Sequence, residues 1–521
     1  MRAPFAALSG LIAGFTALCV AGLVAAAVRP EAGPVTAVGG AVIDRTPAAV
    51  KDFAVRNFGS DDKLVLQFGI LVVLALFAMA VGILALRHRW TGAAAVLVFG
   101  VVGAVSAAGR PEGRPGDVLP SVAGALVAAG VLCLLTGRLA PVHPPSPAAG
   151  ETEAEEQGAF DRRGFVVAAT SAAAASAGAG LLGRRLQASR LAGAFASRGD
   201  IVLPAPASPA PATPRGAGPD IRGLSSFTTP NKDFYRVDTA LVVPRVDADR
   251  WRLRIHGRGV ARPVTLTFQD LLGRELVERD ITLTCVSNQV GGPYVGNARW
   301  IGVRLADLLR EAGVEPPSRG DPADQIVSRS VDGMTIGTPV EDVMDGRDAL
   351  LAVGMNGEPL PFDHGFPVRM VVPGLYGYVS ACKWIQEIEL TTFDAYDAYW
   401  VGRDWSREAP VKTQSRIDTP RPFAAPRPGT VQVAGVAWAQ HRGIARVEVR
   451  VDGGEWHTAR LAAEAGRDTW RQWVWDWPAT TGHHTLDVRA TDRTGATQTD
   501  KRVGTVPDGA TGWHSVVVDV T

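Results

Sequence analysis

The sequence predicts a multi-domain chain with N-terminal transmembrane α-helices, then an α+β domain, then an all-β sandwich. Three regions of different composition and hydrophobic pattern along the 521 residues lead to this prediction. Long apolar runs fill the first 140 residues, strand-like and helix-like segments mix between about 221 and 405, and only alternating strand patterns follow from about 415. A chain of this length is also too long for one compact core, so several folded units are expected.

Four N-terminal stretches are apolar and long enough to cross a bilayer, which predicts a four-helix transmembrane region over residues 1–140. Basic residues after the second and fourth crossings, Arg87-His88-Arg89 and Arg138, place the N-terminus in the cytoplasm by the positive-inside tendency. No histidine lies inside a predicted span, so integral haem is not expected and the helices should anchor the protein or dock a partner. The stretches cover about residues 7–28, 64–86, 92–109 and 118–137.

Residues 141–190 are predicted to form a linker followed by either an export signal or a fifth helix. The linker is acidic over Glu151–Glu156. The paired Arg162-Arg163 precede Gly164-Phe165 and a weakly apolar run, as in a twin-arginine signal. The alternative is an ordinary fifth helix with arginines on its cytoplasmic side. Both interpretations place the chain after about residue 190 outside the cytoplasm.

Residues 191–220 are rich in proline and alanine, and their composition predicts a stiff, extended stalk. Such a stalk would hold a catalytic domain away from the lipid surface. Ala194-Phe195-Ala196 is also a possible signal-peptidase site, so release after export stays open.

The C-terminal part, residues 415–521, is predicted to be an immunoglobulin-like sandwich. Thr430–Trp438, Ala445–Val451 and His484–Ala490 alternate with period two, and turn residues such as Asp452-Gly453-Gly454 separate such runs. About seven strands in about a hundred residues are typical of this architecture. Its tryptophans are expected to pack in cores rather than to bind carbohydrate.

Three clusters between residues 282 and 384 could carry chemistry. Thr284-Cys285 ends a predicted strand before a polar, Gly-rich loop, where a thiolate can bind a soft metal or act as a nucleophile. Asp363–Arg369 and Tyr378–Trp384 carry cations beside glycines, a pattern that suits a bound anion such as phosphate. A lone cysteine is more often an inert buried residue and scattered cations are usually solvated, so no cluster is decisive alone. The four cysteines include no CxxC pair, so no zinc site of that kind is predicted.

Taken together and in this order, the clusters resemble the sulfite-oxidase family of molybdenum enzymes. The resemblance covers about residues 221–405 and implies a molybdopterin-binding oxidoreductase domain there. It extends to residues 415–521, which resemble the family's dimerisation-type domain through Val449–Trp456 and imply a possible homodimer. The matching segments are Leu283–Cys285, Gly296–Leu309, Met355–Pro361, His364–Arg369 and Lys383-Trp384.

The resemblance also implies roles for single residues. Cys285 matches the protein ligand of a molybdenum that a molybdopterin holds. Arg236 would face the pterin or an anionic substrate, and either Tyr396 or Tyr399 would supply an active-site tyrosine. The residues implied in cofactor binding are Asn231, Phe234, Tyr235, Arg236, Cys285, Asn288, His364, Arg369 and Lys383.

Two departures from the family pattern concern the substrate. Animal and plant sulfite oxidases follow the cysteine with an asparagine and a pair of arginines, one of which binds the oxyanion, whereas this chain has Asn288-Gln289-Val290. Asp238 stands where those enzymes tend to have a histidine. Because charge-assisted hydrogen bonds are the strong ones, a missing cation weakens the binding of a doubly charged anion. Sulfite is therefore in doubt as the substrate.

The sequence thus predicts a molybdopterin-dependent oxidoreductase that performs two-electron oxygen-atom transfer on a small oxo-substrate outside the cytoplasm. Such an enzyme requires a separate electron carrier. A true sulfite dehydrogenase and a cofactor-free, membrane-tethered binding protein are the alternatives. The formal net charge of +1 gives no global basic field, so no nucleic-acid partner is expected.

Overall fold

The computed structural model describes residues 2–46, 50, 62–110, 113–140, 161–320 and 322–521. The chain divides into two compact units, Met1–Gly193 with Thr239–Val243 and Ala194–Asp238 with Pro244–Thr521. The predicted acidic linker over residues 141–160 lies outside the described residues.

The first unit is helical, and five described helices are long and apolar enough to cross a membrane. They include the four stretches that the sequence predicts, together with a helix that begins at the paired arginines. A shorter helix after the first span was not predicted. The helices are α1 (Arg2–Ala27), α2 (Pro34–Arg45), α3 (Asp62–Ala85), α4 (Arg89–Ala108), α5 (Leu119–Arg138) and α6 (Arg162–Gly199).

Small residues bring the backbones of α1 and α3 into direct contact. A Cβ atom on Gly10 would lie 1.9 Å from the carbonyl oxygen of Ala78, and one on Gly82 would lie 2.1 Å from the carbonyl oxygen of Ala6. Close approach at small residues is common between membrane helices, because the hydrophobic effect does not drive helices together within lipid. Close van der Waals packing stabilises their association instead. The Ala/Gly-rich composition of this region therefore has a packing role.

The second unit contains two sheets between residues 252 and 391. Their strands are β1 (Arg252–Gly257), β2 (Val264–Thr267), β3 (Val277–Thr284), β4 (Val295–Arg304), β5 (Gln325–Ser330), β6 (Thr335–Pro339), β7 (Leu350–Met355), β8 (Glu358–Pro359), β9 (Arg369–Val371) and β10 (Ile385–Thr391). One sheet has the order β2-β1-β10-β5-β6, and the other has the order β3-β4-β7-β8 with β9 paired to β7. Only β1 and β10 run parallel among these pairs of described strands.

Short helices connect these strands. Thr267 caps the first: its hydroxyl accepts from the Asp270 amide at 3.0 Å, and the Asp270 carboxylate accepts from the Thr267 amide at 2.7 Å. This reciprocal capping box satisfies two amides that a helix end leaves unpaired. The helices are α7 (Phe268–Leu272), α8 (Leu305–Glu311), α9 (Val340–Met344) and α10 (Gly377–Ser380).

Large aromatic side chains fill the core of these sheets without leaving their polar atoms unpaired. Trp300 and Trp384 are fully buried, as is Phe366. The Trp300 indole donates to the Ile281 carbonyl oxygen at 3.1 Å, and the Trp384 indole donates to the Phe362 carbonyl oxygen at 2.8 Å. Since both N–H groups are satisfied, burial of the rings stabilises the fold without leaving a buried donor unpaired.

Residues 414–520 form two four-stranded antiparallel sheets that share one apolar core. The strands are β11 (Gln414–Thr419), β12 (Gly429–Trp438), β13 (Ile444–Val451), β14 (His457–Thr458), β15 (Arg460–Leu461), β16 (Arg471–Ala479), β17 (Gly482–Asp492) and β18 (His514–Val520). Their orders are β11-β12-β16-β15 and β14-β13-β17-β18. Val433 and Trp473 from one sheet meet Val447, Leu486 and Val518 from the other, as the period-two patterns predict.

The Pro/Ala-rich segment does not form a free stalk where it is described after α6. The Ser208 amide donates to the Leu276 carbonyl at 3.3 Å, and the Glu278 amide donates to the Ser208 carbonyl at 2.9 Å. The Ala210 amide donates to the Glu278 carboxylate at 3.1 Å. The prediction of a free spacer is therefore wrong for residues 208–210: proline prevents regular structure around them, but the Ser208 and Ala210 amides pair beside β3.

Candidate active site

Cys285 lies immediately after β3, where the chain turns into a tight loop. Its amide donates to the Tyr294 carbonyl at 3.0 Å, and its carbonyl accepts from the Asn288 amide at 3.0 Å. The Asn288 side chain then accepts from the Tyr294 amide at 2.8 Å, so this predicted cofactor residue braces the loop. Burial raises the pKa of the Cys285 thiol, while hydrogen bonds from Ser287 and the charge of Lys383 act in the opposite direction.

The C-terminal sheets hold the end of β3 in place. The Gln440 side-chain amide donates to the Thr282 carbonyl at 3.0 Å and to the Thr284 hydroxyl at 2.9 Å. The His514 ring packs against the loop at Gly291, where a Cβ atom would lie 2.2 Å from the ring. Gly291 has a positive φ of 77°, which also favours glycine. The position of the thiol is thus set by both parts of the second unit.

His514 gives a testable pH dependence. Its Nδ1 accepts from the Ile417 amide at 3.0 Å, and burial, with Arg416 and Arg502 adding to it, lowers its pKa from 6.5 to about 4. As the pH falls, the unfolded chain takes up this proton first. The free energy of unfolding is therefore highest above about pH 6.5, where His514 is neutral in both states. It falls progressively toward pH 4, by up to about 3 kcal/mol.

We expect His514→Asn, whose side-chain oxygen can replace Nδ1 as an acceptor, to reduce the fall in stability between pH 6.5 and 4. The measurement is the thermal unfolding midpoint of the detergent-solubilised chain across that range. The pKa of His364 is also lowered to about 4, so the unfolding midpoint of the variant should still fall somewhat with pH. An unchanged slope would contradict the role of His514.

Arg369 is a buried cation that the protein leaves partly unsatisfied. It lies on β9, and its guanidinium stacks 4.9 Å from the centre of the Trp300 ring. One nitrogen, Nη1, donates to the His364 carbonyl at 3.2 Å, whereas Nε has no hydrogen-bond partner among the described residues. Burial lowers its pKa to about 10. A buried cation without a carboxylate is costly, so this position fits an anionic group that binds from outside the chain.

His364 lies beside Arg369 in a neutral form. Its Nε2 is 2.9 Å from the Asn231 carbonyl oxygen, and since a carbonyl only accepts, Nε2 carries the hydrogen. Burial and the charge of Arg369 lower its pKa to about 4. The Asn231 side chain is held in turn by Asn356, whose amide donates to it at 2.8 Å. Asn231 and His364, both predicted in cofactor binding, are therefore brought together.

Phe234 and Tyr235 stack on each other beside the cysteine, with ring centroids 5.1 Å apart. Close packing fixes Phe234, because a Cβ atom on Gly296 would lie 2.8 Å from its ring. Desolvation, with a contribution from Cys285, raises the pKa of the Tyr235 hydroxyl, and Arg369 opposes the shift. The Tyr235 hydroxyl therefore interacts with both the thiol and the buried guanidinium.

Asp238 joins the two remaining predicted cations. Its carboxylate accepts from Arg236 Nε at 2.8 Å and from Lys383 Nζ at 2.7 Å. The Asp238 side chain is only 4% exposed and that of Lys383 only 11%. Burial lowers the pKa of Lys383 to about 8, which Asp238 opposes and Arg369 reinforces. Lys383 therefore stays charged at neutral pH.

The structure places Tyr396 and Tyr399 near β6. The Tyr396 hydroxyl donates to the Thr335 hydroxyl at 3.3 Å, and the Tyr399 ring stacks on Arg403 at 3.7 Å. The prediction that one of them serves the active site stays a prediction. Tyr376, which the sequence patterns did not single out, interacts with Cys285. Burial raises the pKa of its hydroxyl to about 12, and Cys285 contributes to that shift. Its place a few residues after the His364–Arg369 motif was the available signal.

The cluster fits a metal that arrives with its own ligands. No group of three or more His, Cys, Asp or Glu side chains suited to a metal occurs among the described residues. A single thiolate such as Cys285 cannot complete a coordination sphere, so a metal there needs donors from a bound cofactor. Arg369 supplies positive charge of the kind that an anionic cofactor requires.

Comparison with known proteins agrees with this geometry. Residues 240–400 match the family described as oxidoreductase molybdopterin binding domain. Mitochondrial sulfite oxidase of Homo sapiens is 31% identical over 307 residues, which is 50% of this chain and 55% of that protein. Sulfite oxidase of Gallus gallus is 33% identical over 48% of this chain and 62% of that protein. The chain thus spans little more than half the length of these relatives.

A plant relative and a solved structure extend the comparison. Sulfite oxidase of Arabidopsis thaliana is 26% identical and covers 57% of this chain and 89% of that protein. The sulfane dehydrogenase SoxCD from Paracoccus pantotrophus is 25% identical, with a TM-score of 0.48 over 56% of this chain and 83% of that one. The predicted family resemblance is confirmed for the region that carries Cys285, His364 and Arg369.

Proposed function

Since residues 240–400 are a molybdopterin-binding oxidoreductase domain of the sulfite oxidase type, we propose that this chain is a membrane-anchored molybdenum enzyme acting outside the cytoplasm. The proposed reaction is the two-electron transfer of an oxygen atom on a small oxo-substrate. One observation carries the proposal: Tyr235 interacts both with the Cys285 thiol and with Arg369, a buried cation without a carboxylate partner among the described residues.

The residues that would hold the cofactor follow from their chemistry. Cys285 is the soft ligand that molybdenum would take from the chain. Arg369, and Lys383 through the N–H groups that Asp238 does not take, would bind the phosphate of the pterin, because a phosphate is best held by charge-assisted hydrogen bonds. The Nδ1 of neutral His364 can accept a hydrogen bond from the pterin itself. When bound, the cofactor supplies a metal that exchanges an oxygen atom and two electrons with the substrate.

The chain's own residues would bind and orient the substrate. The pKa values of Tyr235 and Tyr376 are both raised, so their hydroxyls stay protonated and can donate to a substrate oxygen. A fixed donor aimed at an oxygen stabilises charge that develops there without reorganisation of solvent. Arg236 lies at the exposed side of the cluster, where it would face the incoming substrate.

Membrane attachment and topology are the second part of the proposal. Five apolar helices of sufficient length support an integral anchor. The positive-inside tendency and the paired Arg162-Arg163 support an extracytoplasmic second unit, reached through a twin-arginine signal or as an ordinary fifth span. Electrons would pass to or from a separate carrier.

Two facing four-stranded sheets support an immunoglobulin-like assignment for residues 415–521. By the family resemblance, this part would serve as a dimerisation domain. The catalytic domain would cover residues 221–405 and the sandwich residues 415–521, as the sequence predicts. Residues 203–211 would also belong to the catalytic domain, because they pair beside β3.

A true sulfite dehydrogenase is the second candidate, because several relatives are named sulfite oxidases. The loop after Cys285 weighs against it: Gln289 and Val290 provide no cation for a dianion. Steady-state assays of sulfite oxidation against reduction of dimethyl sulfoxide and trimethylamine N-oxide, with redox dyes as electron partners, separate the two candidates.

Analysis of molybdenum and pterin in the purified full chain tests the proposal first. We expect both in stoichiometric amounts when the chain is produced in cells that make the cofactor. A properly folded chain free of both metal and pterin would refute the enzyme and favour a membrane-tethered binding protein.

A further inference from the structure

The geometry points to Asp238 as a specificity-determining residue. We propose that its carboxylate neutralises Arg236 and Lys383, so that the site rejects doubly charged oxyanions and takes uncharged oxo-compounds of sulfur or nitrogen. This inference rests on the proposed function and names its substrate class.

The contacts of Asp238 engage both cations at once. One oxygen, Oδ2, accepts from Arg236 Nε at 2.8 Å and from Lys383 Nζ at 2.7 Å, and Oδ1 lies 3.5 Å from Arg236 Nη2. The carboxylate is 4% exposed, so solvent screens these interactions weakly. Arg236 and Lys383 thus both donate to one carboxylate inside the protein, which offsets part of their charge.

The balance of charge leaves little attraction for a dianion. Arg236 and Lys383 bring two positive charges, and Asp238 removes one of them at close range. Asp363 lies 3.8 Å from Arg236 Nη1 and adds a second carboxylate on the exposed side. A dianion that binds Arg236 must either displace Asp238 or lie beside it, and like charges repel strongly where water is excluded.

The loop after the cysteine does not restore the missing charge. Gln289 and Val290 are uncharged, and Asn288 is occupied by the Tyr294 amide at 2.8 Å. Two neutral hydroxyls, those of Tyr235 and Tyr376, do interact with Cys285. Neutral donors suit the oxygen of a sulfoxide or an N-oxide, which accepts hydrogen bonds without carrying a net charge on the molecule.

Sulfate is the probe, because it is a doubly charged oxyanion that undergoes no oxygen transfer. Binding is measured by calorimetry on the detergent-solubilised holoenzyme, with molybdenum and pterin content determined for each sample. We expect weak binding to the wild type and at least about tenfold tighter binding to Asp238→Asn at low salt, since a freed charge-assisted contact is worth that much. The gain should shrink as ionic strength rises.

Two further variants separate charge from structure. Asp238→Glu keeps the charge and should bind sulfate as weakly as the wild type. Asp363→Asn makes the same charge change at a side chain that is 52% exposed and 3.8 Å from Arg236, so it should tighten sulfate binding less than about twofold.

Each outcome decides the matter. Fully loaded Asp238→Asn that binds sulfate no more tightly than the wild type overturns the inference. If Asp238→Asn fails to load cofactor, the affinities of the wild-type holoenzyme for sulfate and for dimethyl sulfoxide are compared. Tighter binding of sulfate overturns the inference, and tighter binding of dimethyl sulfoxide supports it. A wild-type chain without molybdenum would refute the proposed function itself, which is a distinct result.

Discussion

Replacing Cys285 with serine is expected to abolish molybdenum-dependent turnover and leave the fold intact. A hydroxyl is a harder, more basic donor than a thiolate and binds a soft metal poorly. Mutating a residue that only hydrogen-bonds to a metal ligand already lowers metal affinity or activity by about 10- to 100-fold. Loss of the ligand itself should therefore lower turnover by more than about 100-fold. Because serine has nearly the shape of cysteine, the unfolding free energy should change by less than about 1 kcal/mol.

Cys382→Ser is the matched control for that experiment. Both thiols are free and buried, and Cys382 lies next to Lys383, but its sulfur points to the Lys383 carbonyl at 3.8 Å. Turnover per bound pterin is measured for both variants, together with molybdenum content. Full turnover in Cys285→Ser, or equal losses in the two variants, would show that Cys285 is not the metal ligand.

Replacing Arg369 with methionine is expected to separate cofactor binding from stability. The buried guanidinium donates to the His364 carbonyl and has no carboxylate partner among the described residues. Its removal should therefore leave the thermal midpoint of the cofactor-free chain unchanged or raised. A charge-assisted contact to phosphate is worth about 1.5–3 kcal/mol, so retention of pterin should fall by roughly 10- to 100-fold.

Arg347→Met provides the opposite pattern as a control. Arg347 is also buried, but it binds Asp342 at 2.6 Å and Asp345 at 2.7 Å. Its loss leaves two carboxylates without their cation and should lower the thermal midpoint, while the folded fraction keeps its pterin. Normal pterin content in Arg369→Met would contradict the assignment of Arg369 to the cofactor.

The apolar spans and the alternating strands could be predicted from sequence because their signals are local. A stretch of the length of α3 is defined by its own composition, and β13 shows its buried face in its own period. Cys285 and the His364–Arg369 segment could also be found, since each belongs to a short motif and the motifs follow one another in order.

The pairings within the site could not be predicted in this way. Asp238 and Lys383 are separated by 145 residues, and nothing near either residue indicates the other. Tyr376 lies beside Cys285 only because β9 and the segment after it return to the end of β3. The Pro/Ala-rich segment has the composition of a free spacer, yet its Ala210 amide donates to the side chain of Glu278, on a strand about 70 residues later.

The sequence by itself determined the order of the parts, the family of the catalytic domain and the thiol that would bind the metal. These properties depend on composition, periodicity and short motifs, all of which are written along the chain. Only the tertiary structure decided how the charges of the site are distributed: Arg369 is left for an external anion, while Asp238 neutralises Arg236 and Lys383. Electrostatic pairing depends on distance in space and on the exclusion of water, and neither is fixed until distant segments pack together.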